Sequence, residues 1–233
     1  MHVVGVIPAR AGSTGLPGKH LRLLGGQPLV TWTFAAAKAS RRLSRVVLST
    51  DDEAIAELAR AHGIEVPFMR PPALATDDAP MIDVLVHAVE TLERTGPRID
   101  AVALLQPTSP FRQAAHVDAA VDLLVATHAD SVVSVIDVPH QFNPVSVMRI
   151  EDGRLQPYSG SATVTRRQDK PHVVARNGPA VLVVRRDTLV LQHRLYGDHT
   201  RALPMSDDES VDIDTARDLA YAEFLIQHRA SAR

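Results

Sequence analysis

The chain has 233 residues, of which 45% are hydrophobic, and it carries 25 lysines and arginines against 27 aspartates and glutamates. This composition excludes a disordered chain, and the near balance of charge argues against a general nucleic-acid or membrane-surface binder. Because the sequence has no cysteine, it also excludes disulfides, thiolate zinc sites and a cysteine nucleophile.

The beginning of the chain predicts neither secretion nor membrane insertion. Its first residues, MHVVGVIPAR, lack the basic segment and the long apolar segment of a signal peptide. No apolar run in the sequence is long enough to cross a bilayer. We therefore expect a cytoplasmic protein whose partners are neither membranes nor nucleic acids.

Strand and helix patterns alternate along most of the chain. The first predicted strand, at residues 3–8, is apolar on both faces, as a buried parallel strand requires. The other predicted strands are 45–50, 65–69, 100–106, 130–138 and 180–186. The predicted helices are 28–40, 52–63, 80–96, 113–129, a short one near 187–195 and 214–228. This alternation predicts an α/β fold with a doubly wound, mostly parallel sheet flanked by helices.

The alternation breaks between about residue 139 and residue 176, where the sequence is mixed, polar and proline-containing. A hairpin-like turn is predicted at residues 151–154. We expect a single domain over residues 1–233, with residues 139–176 forming an insert at the sheet edge that is used for dimerisation.

The loop after the first strand, within IPARAGSTGLPGKH (residues 7–20), has the composition of an anion-binding site. Ligands of such sheets bind beyond the carboxyl ends of the strands, and glycines let backbone N–H groups converge on one anion. Arg10 and Lys19 add full positive charges, so a triphosphate is a suitable ligand for this loop. An ordinary loop with solvated charges remains the alternative.

Two familiar phosphate motifs do not fit this loop. A Walker A motif requires glycine where Ser13 stands, and serine or threonine where His20 stands. The dinucleotide motif G-x-G-x-x-G requires a glycine at Thr14. The loop therefore belongs to neither class.

An acidic pair near the end of the chain is a candidate metal site. Asp212 and Asp214 are two positions apart, so an extended backbone puts both carboxylates on one side and directs Ile213 to the core. Two such carboxylates suit Mg²⁺, a hard cation that keeps waters and binds substrate phosphates. The alternative is that Asp214 caps the final helix.

Six segments agree, in order, with one family. They are IPARAGSTGLPGKH (7–20), STDDEAIAELARAHGIEV (49–66), RPPALATDDAP (70–80), LLQPTSPFR (104–112), RNGPAVLVV (176–184) and SVDIDTARDLAYAE (210–223). Together they resemble the acylneuraminate cytidylyltransferases, which make CMP-activated sialic acids. The resemblance implies a Rossmann-like nucleotidyltransferase fold, a dimerisation insert and a homodimer. The implied reaction is attack of an acceptor oxygen on the α-phosphate of CTP, with Mg²⁺ as cofactor and diphosphate as leaving group.

The resemblance also implies roles for individual residues. The implied catalytic residues are Lys19, Arg10 and Asp214, and the implied metal ligands are Asp212 and Asp214. The implied nucleotide contacts are Ala9, Arg10, Ala11, Gly12, Ser13, Lys19, Arg70 and Asp77. The implied contacts to an acidic acceptor are Gln106, Arg112, Arg166, Arg176, Asn177 and Tyr196. For several of these residues, a purely structural role in turns or a solvated face is the alternative.

Three positions depart from the sialic acid enzymes. Thr14 stands where most of them carry lysine. In this respect the string S-T-x-L-P-G-K is closer to the related CMP-Kdo synthetases. Thr108, however, occupies the place of a metal-binding aspartate of those synthetases. Ser146 stands near a position where sialic acid enzymes have a lysine that faces the acceptor.

These departures leave the acceptor open. A nonulosonic acid of the sialic type is the first expectation, and a small phosphonate or a Kdo-type sugar is the alternative. Two readings from other classes are a non-catalytic nucleotide-binding regulator and a glycosyltransferase with a D-x-D motif. The late position of the acidic pair in the chain weighs against the glycosyltransferase.

Overall fold

The computed structural model describes residues 1–12, 15–158, 164 and 166–231, with the side chains of residues 229–231 excepted. The strands of these ranges are β1 Val3–Pro8, β2 Leu23–Leu24, β3 Gln27–Pro28, β4 Arg45–Ser49, β5 Ala101–Leu104, β6 Ser131–Asp137, β7 Met148–Glu151, β8 Arg154–Pro157, β9 Val174–Arg176, β10 Leu182–Arg185 and β11 Thr200–Pro204. The α-helices are α1 Leu29–Ala39, α2 Glu53–Ala61, α3 Met81–Glu93, α4 Ala114–Thr127, α5 Arg186–Val190 and α6 Ala216–Ser231.

The central sheet has the strand order β11-β6-β10-β5-β1-β4, and β9 pairs with the end of β6. Strand β1 runs parallel to β4 and β5, and β11 runs parallel to β6. Strand β10 is antiparallel to both β5 and β6, so those two strands point in the same direction. The predicted α/β fold with a mostly parallel sheet is therefore confirmed.

Helices cover both faces of this sheet. Side chains of α1, α2 and α4, including Phe34, Ile55 and Leu124, form one core with the sheet. Side chains of α3 and α5, including Leu85 and Leu189, form a second core on the opposite face. In the described part of the chain, no helix is long and apolar enough to cross a membrane.

A third apolar cluster holds the two ends of the chain together. It joins Leu16 of the opening loop and Phe111 of the loop after β5 to Ile213 and Leu225 near the carboxyl end. Burial of these side chains removes apolar surface from water and fixes the loops against one another. This cluster positions the opening loop beside the acidic pair.

Two strand predictions differ from the structure. The predicted strand at 65–69 is wrong, because this segment contributes one isolated bridge, between Val47 and Glu65. The sequence pattern also missed β11, which pairs with β6 at the sheet edge and leaves most of its residues exposed or half-exposed. An edge strand of this kind lacks the continuous apolar run that marks a buried strand.

The predicted turn at 151–154 connects β7 and β8, which form a separate two-stranded sheet. Asp152 and Gly153 have φ angles of 48° and 75°, the left-handed conformations of a tight hairpin turn. All residues of both strands are exposed. That the chain is one domain with a dimerisation insert stays a prediction.

Candidate active site

A small cavity of about 160 Å³ opens at the carboxyl ends of β1 and β5. Because the two strands are parallel neighbours, their ends meet at one edge of the sheet, where ligands of such folds bind. The predicted site residues that line it are Arg10, Gly12, Lys19, Arg70 and Gln106, and they are joined by His20 and Thr108. The structure thus brings together residues from three separate segments of the chain.

Lys19 starts a short 3-10 helix, Lys19–Leu21, directly after Gly18. Gly18 has a φ angle of 64°, a left-handed conformation that favours glycine. The Lys19 side chain is only 11% exposed, and its Nζ donates to Asp214 Oδ1 at 2.8 Å. The predicted phosphate cation and a predicted metal ligand are therefore in direct contact.

Close approach of the opening loop to this acidic segment depends on Gly15. A Cβ atom on Gly15 would lie 2.6 Å from the backbone oxygen of Asp214, a distance that real side chains do not adopt. The loop and the segment therefore come closer together here than any residue with a side chain would allow.

Asp212 lies deeper than Asp214. Ile213 between them is fully buried, as the sequence predicted, and its N–H donates to the carbonyl oxygen of Thr108 at 2.8 Å. Burial raises the pKa of Asp212, and the Asp214 carboxylate acts in the same direction. Asp212 Oδ1 is buried and makes no hydrogen bond to the described residues.

This donor set fits a divalent cation. A buried carboxylate oxygen without a partner is costly, and a metal ion would satisfy it. Among the described residues, no three histidine, aspartate or glutamate side chains cluster closely enough to hold a metal by themselves. Two carboxylates suit Mg²⁺, which keeps several waters and takes its remaining ligands from substrate phosphates.

Three cations and a neutral histidine give the cavity its electrostatic character. Burial, together with the charges of Lys19, Arg70 and Arg10, lowers the pKa of His20 to about 4. Burial also lowers the pKa of Arg70 to about 10. His20 Nδ1 is buried and has no partner among the described atoms. This positive field favours a polyanionic ligand.

The remaining predicted nucleotide contacts lie around this cavity. Arg10 forms an ion pair with Asp77, and Ala11 N–H donates to Asp51 Oδ1 at 2.9 Å. Ala9 is fully buried, and its N–H donates to the carbonyl oxygen of Ser49, so it contributes to the sheet edge. The predicted contact Ser13 lies outside the described residues.

Two predicted acceptor contacts are buried in this fold and bonded to the protein. Arg112 is 2% exposed, and its terminal nitrogens donate to the carbonyl oxygens of Gln106 and Ala180 and to Thr33 Oγ1. Asn177 is 6% exposed, and its amide bonds Ser134, Ser210 and the Ala180 N–H. Neither side chain lines the cavity beside Lys19, and Arg112 Nε is buried without a partner among the described residues, so their contact with an acceptor stays a prediction.

The other predicted acceptor contacts are dispersed. Arg166 pairs with Asp169 at 2.6 Å on the surface. The guanidinium of Arg176, in β9, stacks over the ring of Tyr196 at 4.6 Å from the centroid. None of the three lines the cavity beside Lys19.

Sequence reasoning gave no ligand role to His20 or Thr108, although both line this cavity. Thr108 enters the sequence comparison only as the residue at the place of a metal-binding aspartate in the CMP-Kdo synthetases. The one available signal was their position: His20 follows Lys19, and Thr108 follows Gln106 by two residues. Burial next to charged groups, which marks them as site residues, is visible only in three dimensions.

Comparison with known proteins places the chain in a family. The family model described as cytidylyltransferase matches residues 4–232. The chain is 33% identical to the CMP-N,N'-diacetyllegionaminic acid synthase of Legionella pneumophila, and the match covers 97% of both chains. It is 31% identical to an N-acylneuraminate cytidylyltransferase of Streptococcus agalactiae over 95% of its own length, and it spans 52% of that longer relative.

A solved structure shows the same fold. The CMP:2-keto-3-deoxy-manno-octonic acid synthetase in complex with CTP superposes with a TM-score of 0.72, covering 98% of this chain and 100% of that one. The sequence identity of this pair is 19%, so the likeness concerns the fold alone. The family model and the full-length relatives together show that this chain belongs to the cytidylyltransferase family.

Proposed function

We propose that this enzyme transfers CMP from CTP to a nonulosonic acid and releases diphosphate. The observation that carries the proposal is the convergence of Arg10, Lys19 and Arg70 in one cavity, with Lys19 in contact with Asp214. The hydroxyl oxygen of the acid forms a bond to the α-phosphorus as the bond to diphosphate breaks. The hydroxyl proton passes to solvent, and the electron pair of the broken bond leaves with diphosphate.

The cationic cavity suits the leaving group of this reaction. Phosphoryl and nucleotidyl transfers depend mainly on positioning and on neutralising charge that develops in the transition state. Lys19 and Arg10 would bind the β- and γ-phosphates, where negative charge accumulates as diphosphate departs. Arg70 is held by Ser49 at the buried side of the cavity and adds a fixed charge there.

We propose Mg²⁺ as the cofactor, with Asp212 and Asp214 as its protein ligands. When bound, the ion would neutralise phosphate charge and lower the pKa of a coordinated oxygen. Asp214 would exchange its bond with Lys19 for the metal, which would free the Lys19 amine for a phosphate. Asp212 would supply the buried oxygen that has no partner among the described residues.

For the acceptor, the full-length similarity to a relative named for N,N'-diacetyllegionaminic acid favours a nonulosonic acid. A small phosphonate or a Kdo-type sugar stays the alternative acceptor. The cytoplasm stays our expectation for the location of the reaction.

We further propose that the enzyme acts as a homodimer joined through the β7–β8 hairpin. Met148, Ile150, Leu155 and Tyr158 are large apolar side chains of this segment, and all four are exposed. Apolar surface concentrated on one hairpin is typical of an interface.

The decisive test is diphosphate release from CTP and Mg²⁺ with a panel of acids: N-acetylneuraminic acid, N,N'-diacetyllegionaminic acid, Kdo and small phosphonates. We expect a nonulosonic acid to give diphosphate and a CMP-linked product by mass spectrometry. Product from a phosphonate alone would support the alternative acceptor. Tight CTP binding without product from any acid would instead indicate a nucleotide-binding regulator.

A further inference from the structure

The acidic segment, residues 206–214, lies between β11 and α6. Two bonds tie it to neighbouring loops, one on either side of the deeper of the two proposed metal ligands. On one side, Ile213 N–H donates to the carbonyl oxygen of Thr108 at 2.8 Å. On the other side, Ser210 Oγ accepts a bond of 2.8 Å from the side-chain amide of Asn177. Contacts within the protein therefore fix the backbone that carries the two carboxylates.

A third contact of this segment starts from Glu209, at the end of the 3-10 helix Asp207–Glu209. One oxygen of its carboxylate, Oε2, accepts from Ser206 Oγ at 2.7 Å and so caps this short helix. The other oxygen, Oε1, accepts from Gln113 Nε2 at 3.2 Å. His116 Nε2 lies 3.5 Å from the same oxygen. One carboxylate thus joins the acidic segment to the first turn of α4.

The imidazole of His116 is oriented so that it presents a proton to Glu209. Its Nδ1 accepts from the Gln113 N–H at 3.1 Å, so the proton of the neutral ring is on Nε2, which faces Glu209 Oε1. Burial lowers the pKa of His116 and so favours this neutral form, and the Glu209 carboxylate acts in the opposite direction. The Glu209 side chain is only 26% exposed, so water screens these contacts less than it would on an open surface.

The place of this contact in the chain connects it to the proposed metal site. Glu209 is three residues before Asp212. Its partner Gln113 belongs to the same loop after β5 as Thr108, whose carbonyl oxygen holds the other end of the segment. One loop therefore fixes the acidic segment on both sides of Asp212. Groups that orient metal ligands commonly change metal affinity by about tenfold to a hundredfold when they are replaced.

We propose that Glu209 is a positioning residue for the metal site: its bond to Gln113 holds the acidic segment so that Asp212 and Asp214 converge on one cation. This inference rests on the proposed function and on Mg²⁺ as its cofactor. Glu209 does not line the cavity beside Lys19, so it acts through the backbone of the segment and not by direct contact with the nucleotide. The competing role is a local one, in which Glu209 only caps its own short helix.

Two single variants and their combination separate these roles. Glu209→Gln keeps the helix cap, because glutamine serves in the same capping motif as glutamate, but it places an amide against the amide donor of Gln113. Gln113→Glu keeps an acceptor at the start of α4 and sets a second carboxylate against Glu209. The double variant Gln113→Glu/Glu209→Gln exchanges donor and acceptor, so it should restore the contact. If Glu209 only capped its own helix, Gln113→Glu would have no effect on the metal site.

Hydrogen exchange of the Ile213 amide in metal-free protein reports how firmly the segment is held. The exchange should be about tenfold faster in each single variant and normal in the double variant. The dissociation constant of Mg²⁺, by calorimetry in the presence of CTP, should rise by about tenfold in the single variants, as should the Mg²⁺ concentration for half-maximal diphosphate release. The KM for CTP at saturating Mg²⁺ should change less than about twofold. Glu57→Gln, at an exposed glutamate of α2, is the matched control and should behave as wild type.

Unchanged exchange at Ile213 in both single variants would overturn the inference and leave the proposed function intact. Faster exchange with an unchanged Mg²⁺ affinity, or a loss of affinity that the double variant does not restore, would overturn it as well. A wild type that releases no diphosphate with any acid would overturn the proposed function itself. The exchange of Ile213 and the Mg²⁺ calorimetry with CTP then still test the role of Glu209, because neither measurement requires an acceptor.

Discussion

Lys19 Nζ bonds Asp214 Oδ1 at 2.8 Å and so joins two residues that are 195 positions apart in the sequence. The contact couples the loop that carries the phosphate-binding cations to the segment that carries the candidate metal ligands. Because Asp214 is 67% exposed while Lys19 is largely covered, the carboxylate can exchange partners more readily than the amine can move. The Lys19–Asp214 ion pair is therefore suited to separate when nucleotide and metal bind.

Replacement of Lys19 by alanine should reduce turnover far more than stability. Loss of one preorganised cationic contact in the transition state lowers kcat by about a hundredfold to a thousandfold. The ion pair itself contributes little to folding, because its carboxylate is solvated. Diphosphate release and thermal unfolding measure the two effects, with Lys38→Ala as the control. Normal CTP turnover in Lys19→Ala would show that the cavity assignment is wrong.

The two aspartates should respond differently when each is replaced by asparagine. Both Asp212→Asn and Asp214→Asn should lose Mg²⁺-dependent diphosphate release. Without metal, however, Asp212→Asn should be more stable than wild type at neutral pH, because burial raises the pKa of Asp212 and so penalises its ionised form above that pKa. A gain of about 1 kcal/mol would raise Tm by about 2 to 4 °C.

Thermal melts in EDTA test this difference, and Asp122→Asn on the surface is the control. Asp214→Asn should show no comparable gain, since its carboxylate is exposed and bonded to Lys19. An active Asp214→Asn variant would show that the metal binds elsewhere. A destabilised Asp212→Asn variant would contradict the inference that the buried Asp212 carboxylate lacks a partner.

Much of the fold was predictable because buried parallel strands leave a continuous apolar signal. The predicted strand at 45–50 corresponds to Arg45–Ser49, and the first strand has the predicted bounds Val3–Pro8. Edge strand Thr200–Pro204 gives no such signal, because its partners lie on one side only and its side chains remain largely solvated. Pairing with a distant strand decided its conformation.

The site could be predicted from the sequence only where a family motif lies in a loop that lines the cavity. Lys19, Arg10 and Arg70 converge as the resemblance implied, but residue type does not reveal that Arg112 is buried. The position near Ser146, where sialic acid enzymes have a lysine, is a further example of what the sequence alone does not reveal. The structure brings the amine of Lys170 to 2.6 Å from Ser146 Oγ from 24 positions further along the chain, which no local pattern indicates.

Arg112 should act through stability. Arg112→Met removes donors to two carbonyl oxygens and to Thr33, and it should lower the free energy of unfolding by about 3 kcal/mol. Urea unfolding measures this loss, and Arg41→Met on the surface should have little effect. A stable Arg112→Met variant with a raised KM for the acid would instead support the acceptor role that the sequence predicted.

His20 should make stability depend on pH. Its pKa is about 4 in the folded protein against an ordinary 6.5, so the unfolded chain binds more protons between these values. The free energy of unfolding should therefore fall as pH decreases from about 6.5 towards 4. Between pH 7.5 and pH 4.5 the loss attributable to His20 should be about 2 to 3 kcal/mol.

Urea unfolding of wild type and His20→Gln at both pH values isolates this contribution, because other titrating groups are common to both proteins. The charged groups that face the imidazole are Lys19, Arg70 and Arg10, and both proteins contain them. Parallel pH profiles of the two proteins would show that the imidazole is not held neutral.

The β7–β8 hairpin should control the oligomeric state. Ile150 and Leu155 are paired across its strands and are 75% and 67% exposed, so one partner surface would cover both. Ile150→Asp combined with Leu155→Asp should convert a dimer to a monomer, because two buried like charges would face each other in the interface. Sedimentation velocity measures this change, and Leu191→Asp, at an exposed leucine after α5, should leave the dimer intact. A monomeric wild type at micromolar concentration, or a double variant that stays dimeric, would exclude the hairpin as the interface.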